Sequence, residues 1–201
     1  MVSQAGALIL GAGFSRRFGS DKRLHKLGKL SIAEVTVSIY QQVFEQVRVI
    51  IRPEDRSLAE LLSKLNVELV ESRNAQLGMG HSLADGIRDL KWTWAFVGLL
   101  DMPFIKAQTL NQLLRSSEKQ KSDQTKIIRP RVRDQSQKPA HPVAFHRSLF
   151  CELTKSQGDS GAKELLTKYK DLTQFVDSTD TGLWRDIDSP SDITAEANRL
   201  V

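Results

Sequence analysis

Cysteine is nearly absent: Cys151 is the one thiol in 201 residues. No internal disulfide can form, and no cysteine-based metal cluster can be built. A reducing cytoplasm suits such a chain. Long apolar runs are missing too, so nothing in the sequence reaches bilayer-spanning length and no membrane role is expected. The N-terminal MVSQAGALILGAG lacks a basic leading region and reads as a first strand, not a signal peptide. There is no internal repeat, no low-complexity tract and no linker-like stretch. The chain is therefore expected to form one domain over residues 1–201. No helix-turn-helix pattern, aromatic RNA motif or zinc finger accompanies the basic charge, which argues against a nucleic-acid partner. Neither is there a Ser-His-Asp or Cys-His arrangement for nucleophilic catalysis. The spacing of His25, His81, His141 and His146 fits no standard metal pattern.

What is present is positive charge, net +5 with a pI near 9.4, which favours anionic partners such as nucleotides. Periodicity supplies the architecture. Ala7–Leu10, Val47–Ile51, Val67–Val70 and Trp94–Leu100 are short apolar runs of strand type. Between them lie helical spacings: Ile32, Val35, Ile39 and Val43, then Leu58, Leu61, Leu62 and Leu65, then Met79, Leu83, Ile87 and Leu90. Leu110, Leu113 and Leu114 form a further helical face. This alternation predicts an α/β fold with a mostly parallel central sheet and helices on both faces, a three-layer sandwich. Later come two β-like runs, IIRPRV and HPVAF, a helix from near Gly161, the strand LTQFV, and a last helix from Pro190. That final helix would turn Ile193, Ala197 and Leu200 inward. Trp92 and Trp94 straddle a helix-to-strand junction and are expected to pack.

In such sheets ligands sit beyond the carboxyl ends of the strands. Two of those ends carry unusual chemistry. Leu10 leads into LGAGFSRRFGSDK, and Leu100 leads into Asp101. Glycines let backbone N–H groups approach an anion closely, and the cations that follow would neutralise it. The loop is not a dinucleotide fingerprint, which would need glycine where Arg16 stands. It is not a P-loop either, because Phe18 lies five places after Gly13 and Gly19 is followed by Ser20. Its length, from Leu10 to a helix near Ser31, far exceeds the usual connection of about 2–6 residues, as functional loops do.

Asp101 could cap the helix expected from about residue 106. Beside a cationic loop at a neighbouring strand end, it is better read as a ligand for Mg²⁺, a hard cation that takes oxygen and sits by phosphates. Asp186-Ile187-Asp188-Ser189-Pro190 brings further carboxylates ahead of a helix start, with Ser189 as cap and Pro190 first in the helix.

Taken together, these residues resemble the MobA-like nucleotidyltransferases of the molybdenum cofactor group, the molybdenum cofactor cytidylyltransferases in particular. The family opens on a pattern close to LAAGxSxRMGxxK, and Leu10 to Lys22 follow it without a gap. Leu77 to Leu83 match its GM-x-x-SL block, Asp101-Met102-Pro103 its GDMP, and His141-Pro142-Val143 with Phe145 its GHPV-x-F. Gly158 to Lys163 resemble its GD-x-GAR, and Asp186 to Pro190 its DIDTP. The blocks keep family order across almost the whole chain. Three positions depart from the pattern: Gly11 stands for alanine, Leu100 for the glycine of GDMP, and Ala140 for the glycine before His141. Ala12 is the residue of the cytidylyl-transferring branch, where the guanylyl-transferring branch has glycine.

The resemblance implies a Rossmann-like nucleotidyltransferase fold. It implies Mg²⁺-dependent transfer of a nucleotidyl group, here CMP from CTP, to a phosphorylated acceptor with release of pyrophosphate. The acceptor by resemblance is molybdopterin cofactor, with a recipient molybdoenzyme as a further partner. GTP or another triphosphate, and a sugar or polyol phosphate acceptor, remain the alternatives, as does a weakened relative that only binds nucleotide. Carried over by position, Arg17, Lys22 and Asp101 are catalytic. Leu10, Gly11, Ala12, Gly13, Ser15, Arg17, Phe18, Gly19, Lys22, Gly80, Ser82 and Asp101 surround the nucleotide. His141, Pro142, Gly158 and Asp159 line the acceptor side, and Asp101 with Asp188 holds the metal. A monomer in the cytoplasm is expected.

Overall fold

Short β-branched and apolar runs alternate with amphipathic ones, and the chain folds accordingly. The structure is a computed structural model that describes residues 4–15, 18–119, 124–132 and 140–197. Its elements run β1 (Ala5–Leu10), a small hairpin of β2 (Lys26–Leu27) and β3 (Leu30–Ser31), α1 (Ile32–Gln41), β4 (Val47–Ile51), α2 (Arg56–Leu62), β5 (Glu68–Glu71), α3 (Met79–Ile87) and β6 (Trp94–Leu99). Then follow α4 (Ala107–Glu118), β7 (Ile127–Val132), β8 (Val143–His146), α5 (Phe150–Leu153), α6 (Lys163–Lys168), β9 (Thr173–Ser178) and α7 (Pro190–Ala197). Leu200, expected on the inner face of the last helix, lies outside the described residues.

Seven strands form one sheet in the order β5-β4-β1-β6-β8-β7-β9. β8 runs antiparallel to both β6 and β7, while every other neighbouring pair is parallel. Alternation along β1 divides the core. Ala7 and Ile9 face α1, α2 and α4, whereas Leu8 and Leu10 face α3, α5 and α6. The result is the expected three-layer arrangement. Ser31 starts α1 with a reciprocal cap: its hydroxyl accepts from the Glu34 N–H at 3.2 Å, and its own N–H donates to Glu34 Oε2 at 2.7 Å. Trp92 and Trp94 are both buried.

The helix at Ala107–Glu118 does not use Asp101 as its cap. Asp180 takes that place, accepting from the Lys106 N–H at 2.9 Å and the Thr109 hydroxyl at 2.8 Å. Asp101 is thereby left to other work.

Two departures from the family pattern turn out to be one structural feature. Leu100 is buried, and its Cδ2 fills the space beside Gly11. A Cβ on residue 11 would stand 2.6 Å from that methyl and 2.9 Å from the Ile50 carbonyl oxygen. The leucine thus takes the volume that an alanine at 11 would need. Gly11→Ala is expected to destabilise by about 1–3 kcal/mol through overpacking. Leu100→Ala, which by itself opens a cavity, should recover part of that loss in the double variant. Chemical denaturation of the four proteins measures the coupling; strictly additive effects would show that the two positions do not compete for space.

Candidate active site

Strand order places the site. From β1 the chain steps outward to β4 and β5, then returns to the other side of β1 as β6. The crevice between the carboxyl ends of β1 and β6 is therefore a switch point, where open α/β sheets take their ligands. The glycine loop leaves one lip and Asp101 stands on the other. A third segment joins them: the Ile187 N–H donates to the Asp101 carbonyl at 2.9 Å, which draws Asp186 and Asp188 to the same spot.

Carboxylate oxygens of Asp101, Asp186 and Asp188 all lie within 4.8 Å of one another. Among them Lys22 extends its ammonium, 2.7 Å from Asp101 Oδ2 and 3.1 Å from Asp188 Oδ1. Burial works against the charge on Lys22. The Asp101 and Asp188 carboxylates more than offset it and hold the lysine above its ordinary pKa. Asp186 is pushed up, by burial first and then by the charges of Asp188 and Asp101. Asp101 Oδ1 is buried and has no hydrogen-bond partner among the described residues. Such an oxygen is costly unless something binds it. An all-oxygen donor set with a spare buried lone pair fits a hard divalent cation.

Asp186 was not singled out from sequence, although its spacing offered a signal. Residues i and i+2 of an extended segment share a side, so Asp186 and Asp188 point together while Ile187 packs into the core. Beyond them the Asp192 carboxylate reaches back to the Asp188 and Ser189 N–H groups at 3.0 and 2.7 Å. The helix start expected at Pro190 is thus capped chiefly by Asp192, and Ser189 Oγ donates to it at 2.8 Å.

The glycine loop is not loose. Ala12 is buried, Gly13 is exposed with open space where a Cβ would stand, and Gly19 turns with a φ of 78°. Ser15 holds a φ of 48°, and its buried Oγ lacks a partner among the described residues. Arg17 lies outside the described residues. Phe18 is buried against Ile32 and Ile187, edge-on to His25. Its position is that of an anchor for the loop, not of a wall toward a ligand.

What secures the loop is a charge network that no local pattern announced. Arg23 is 2% exposed. Its guanidinium donates to both oxygens of Asp55 at 2.7 and 2.6 Å, to Asp21 at 2.7 and 2.6 Å, and to the Gly11 carbonyl. Arg52 also donates to Asp55, and its guanidinium lies over the Phe14 ring at 4.6 Å. These bonds tie Gly11, Asp21 and Arg23 to the turn that follows β4.

Burial alone would raise Asp55, but Arg23 and then Arg52 outweigh it and bring its pKa down to about 2. The folded value is below the unfolded one, so the stabilisation is present above about pH 4 and is lost as pH falls toward 2. It amounts to about 2 kcal/mol. Asp55→Asn should therefore melt well below wild type at pH 7, with the gap closing between about pH 4 and pH 2. Thermal melts by circular dichroism across that range check this; a gap independent of pH would remove Asp55 as the titrating group.

The opposite wall joins two blocks distant in sequence. Gly78 has a φ of 117°, and a Cβ there would meet the Gly158 carbonyl carbon at 2.3 Å. The Gly80 N–H donates to the Gly158 carbonyl at 2.7 Å. Only glycines allow this contact, so the start of α3 and the Gly158–Asp159 loop form one surface. Ser82 is buried within α3. Two clefts open along this surface. One, of about 460 Å³, is bounded by Phe14, Ser15, Lys22, Gly78 and Asp188. The other, of about 540 Å³, lies over the sheet, floored by Leu10, Val97, Val143 and Phe145, with His141 and Arg129 at its edge. Met79 and Asp159 line both and divide them. His141 precedes the buried Pro142, joined by a cis peptide, and its N–H donates to the Leu183 carbonyl at 2.7 Å. Burial keeps its imidazole below the usual histidine pKa.

Residues 7–172 match the family model of the MobA-like NTP transferase domain. No curated protein matches the sequence significantly. Among solved structures, Rv0371c from Mycobacterium tuberculosis is similar at a TM-score of 0.82 and 20% identity, over 98% of this chain and all of that one. A structure of the same protein in complex with manganese gives a TM-score of 0.74 at 20% identity, over 96% and 97% of the two chains. Molybdopterin-guanine dinucleotide biosynthesis protein A from Archaeoglobus fulgidus aligns at a TM-score of 0.69 and 17% identity, over 98% and 100%. At such identities the likeness speaks for the fold.

Proposed function

Because the chain belongs to the MobA-like NTP transferase domain family, we propose that it transfers CMP from CTP to a phosphorylated acceptor and releases pyrophosphate. The observation that carries the reading is the cluster at the β1/β6 crevice: Lys22 between Asp101 and Asp188, with a buried Asp101 oxygen unpartnered. Asp101 and Asp188, with Asp186 beside them, would hold Mg²⁺. Bound there, the cation neutralises phosphate charge and stabilises the charge that develops on the transferring group.

The protein supplies the remainder. A phosphate monoester is largely dianionic at neutral pH, its second pKa being about 6, so the acceptor arrives as its own nucleophile. No general base is needed. An acceptor oxygen forms a bond to the α-phosphorus of CTP, the bond from that phosphorus to the bridging oxygen breaks, and pyrophosphate leaves with the electron pair. The barrier is the approach of anion to anion, which calls for positive charge and alignment. Lys22 and Arg17 contribute cations, and the N–H groups of Ala12 and Gly13 face the phosphates, that of Gly11 being held by the Ile50 carbonyl. Ala12 faces the base, which favours CTP. The smaller cleft takes the nucleotide, the larger takes the acceptor beside His141, and Met79 with Asp159 marks the line between them. By its resemblance the acceptor is molybdopterin cofactor. We read the chain as one catalytic domain, working as a monomer in the cytoplasm; no helix among the described residues is long and apolar enough to cross a membrane.

A panel of nucleoside triphosphates against phosphorylated acceptors, with pyrophosphate release recorded, tests this. CTP with one acceptor class should release pyrophosphate in the presence of Mg²⁺. Release with no nucleotide in any combination would overturn the proposal.

A further inference from the structure

Arg129 has no role in the chemistry described so far, and its surroundings do not explain it as a structural cation. It stands on β7 on the sheet face shared with Ile127, half-buried at the edge of the larger cleft. Among the described residues no carboxylate pairs with it, and its Nε is buried without a hydrogen-bond partner. Its neighbour on the strand shows the contrast: Arg131 is paired with Asp177 at 2.7 Å on the open surface. The Arg129 guanidinium lies over the Phe175 ring, with its centroid 5.7 Å away. Close by, His141 Nδ1 is also buried without a partner. Desolvation without compensation lowers the Arg129 pKa, and the charge of Arg129 in turn helps depress His141, so the two groups share one electrostatic environment. A half-buried cation and a buried, unpartnered imidazole nitrogen on residues that line a cleft are costs unless something satisfies them.

The sheet fixes where that ligand group would be. β7 lies two strands from β6, which at the usual strand spacing is about 10 Å. Pairing of Ile128 with Ala144, and of Ala144 with Phe96, puts Arg129 near the level of Val97, well before the strand end that carries Asp101. Arg129 is therefore too remote to serve the phosphate that reacts at Lys22 and Asp101. Between the two sites the cleft has an apolar floor of Val97, Val143 and Phe145, with Leu83 and Leu166 at the sides, while Asp159, Ser160, Lys163 and Thr167 also line it.

We propose that the acceptor carries a second acidic group, phosphate or carboxylate, on the order of 10 Å from its attacking phosphate, and that Arg129 is its counter-ion. His141 Nδ1 completes the recognition, and the apolar floor of the cleft holds the body between the two charged ends. This rests on the nucleotidyl-transfer reading for the position of the first phosphate, and it favours a doubly acidic acceptor, such as a sugar or polyol phosphate bearing a second acid, over molybdopterin, which carries a single phosphate.

Titration calorimetry on the full chain tests it, with hexyl phosphate and 1,6-hexanediol bisphosphate as probes, each with and without CTP and Mg²⁺. Wild type should bind the bisphosphate about tenfold more tightly, beyond the twofold that two equivalent ends supply. Arg129→Met should bring the two probes within about threefold, and Arg129→Lys should keep part of the preference. CTP binding should be unchanged in both variants. Arg129→Met should melt no lower than wild type, because no ion pair among the described residues is lost. Equal affinity for the probes in wild type, binding of neither, or a preference that survives Arg129→Met would overturn the inference. Failure of CTP to bind would strike the nucleotidyl-transfer reading instead, and the probe preference would still judge Arg129 by itself.

Discussion

Asp101→Ala is expected to cut turnover by about a thousandfold or more while leaving the fold intact. The two halves of that expectation come from different atoms. Asp101 holds its neighbours through its backbone, whose carbonyl accepts from Ile187, and the substitution keeps that bond. Its side chain gives the fold little: Oδ1 has no partner, and Oδ2 faces Lys22 in a group of three carboxylates. Removing one charge from that group relieves repulsion, so the melting temperature should stay close to that of wild type. Turnover should not, because the lost carboxylate is the one nearest the sheet edge, where the transferring phosphate would sit. Steady-state pyrophosphate release together with a thermal melt separates the two effects. Near-normal turnover in a folded Asp101→Ala protein would remove the metal assignment.

Lys22→Met should be harmful twice over. Its ammonium is the one cation found between Asp101 and Asp188 among the described residues, and the resemblance also makes it a triphosphate ligand. Without it, no ammonium stands between the Asp101 and Asp188 carboxylates. The site is partly open to water, so the stability loss at pH 7 is expected to be modest, about 1–2 kcal/mol. The sign with pH follows from the raised lysine pKa. In wild type the contribution is fully present below about 10.5 and is lost only as pH rises through the higher folded value. Turnover should drop by about a hundredfold to a thousandfold, since one positioned charge on the transferring group is missing. Kinetics and pH-dependent melts on the same protein measure both. An active variant with an unaltered pH profile would show that Lys22 serves neither purpose.

Much of this site was legible before the structure. Strand-to-helix alternation placed β1 and β6, and the candidate residues lie directly after them. The fold then supplied what no local pattern could. Arg23 and Asp55 are 32 positions apart, and only the pairing of β1 with β4 brings them together. Neither residue has a neighbour in sequence that announces the network. Gly11 and Leu100 looked like two independent departures from the family pattern. They are a single exchange of volume, visible only once β1 and β6 lie side by side. Phe18 sits inside a loop of ligand-binding type, yet hydrophobicity decided its fate and turned it into the core. Arg129 belongs to the β-like run IIRPRV and to none of the motifs that marked the candidate site. Its cleft emerges from strands that are not consecutive in sequence, which is why charge composition by itself could not single it out.

Calorimetric titration of CTP into wild type and Asp101→Asn, with and without Mg²⁺, tests the central claim most directly. A site built on Lys22, Asp101 and Asp188 should bind CTP in wild type, more tightly with Mg²⁺ than without it. Asp101→Asn should lose that metal-dependent increment while it remains folded. No CTP binding in wild type, or an Mg²⁺ increment undiminished in Asp101→Asn, would contradict the account.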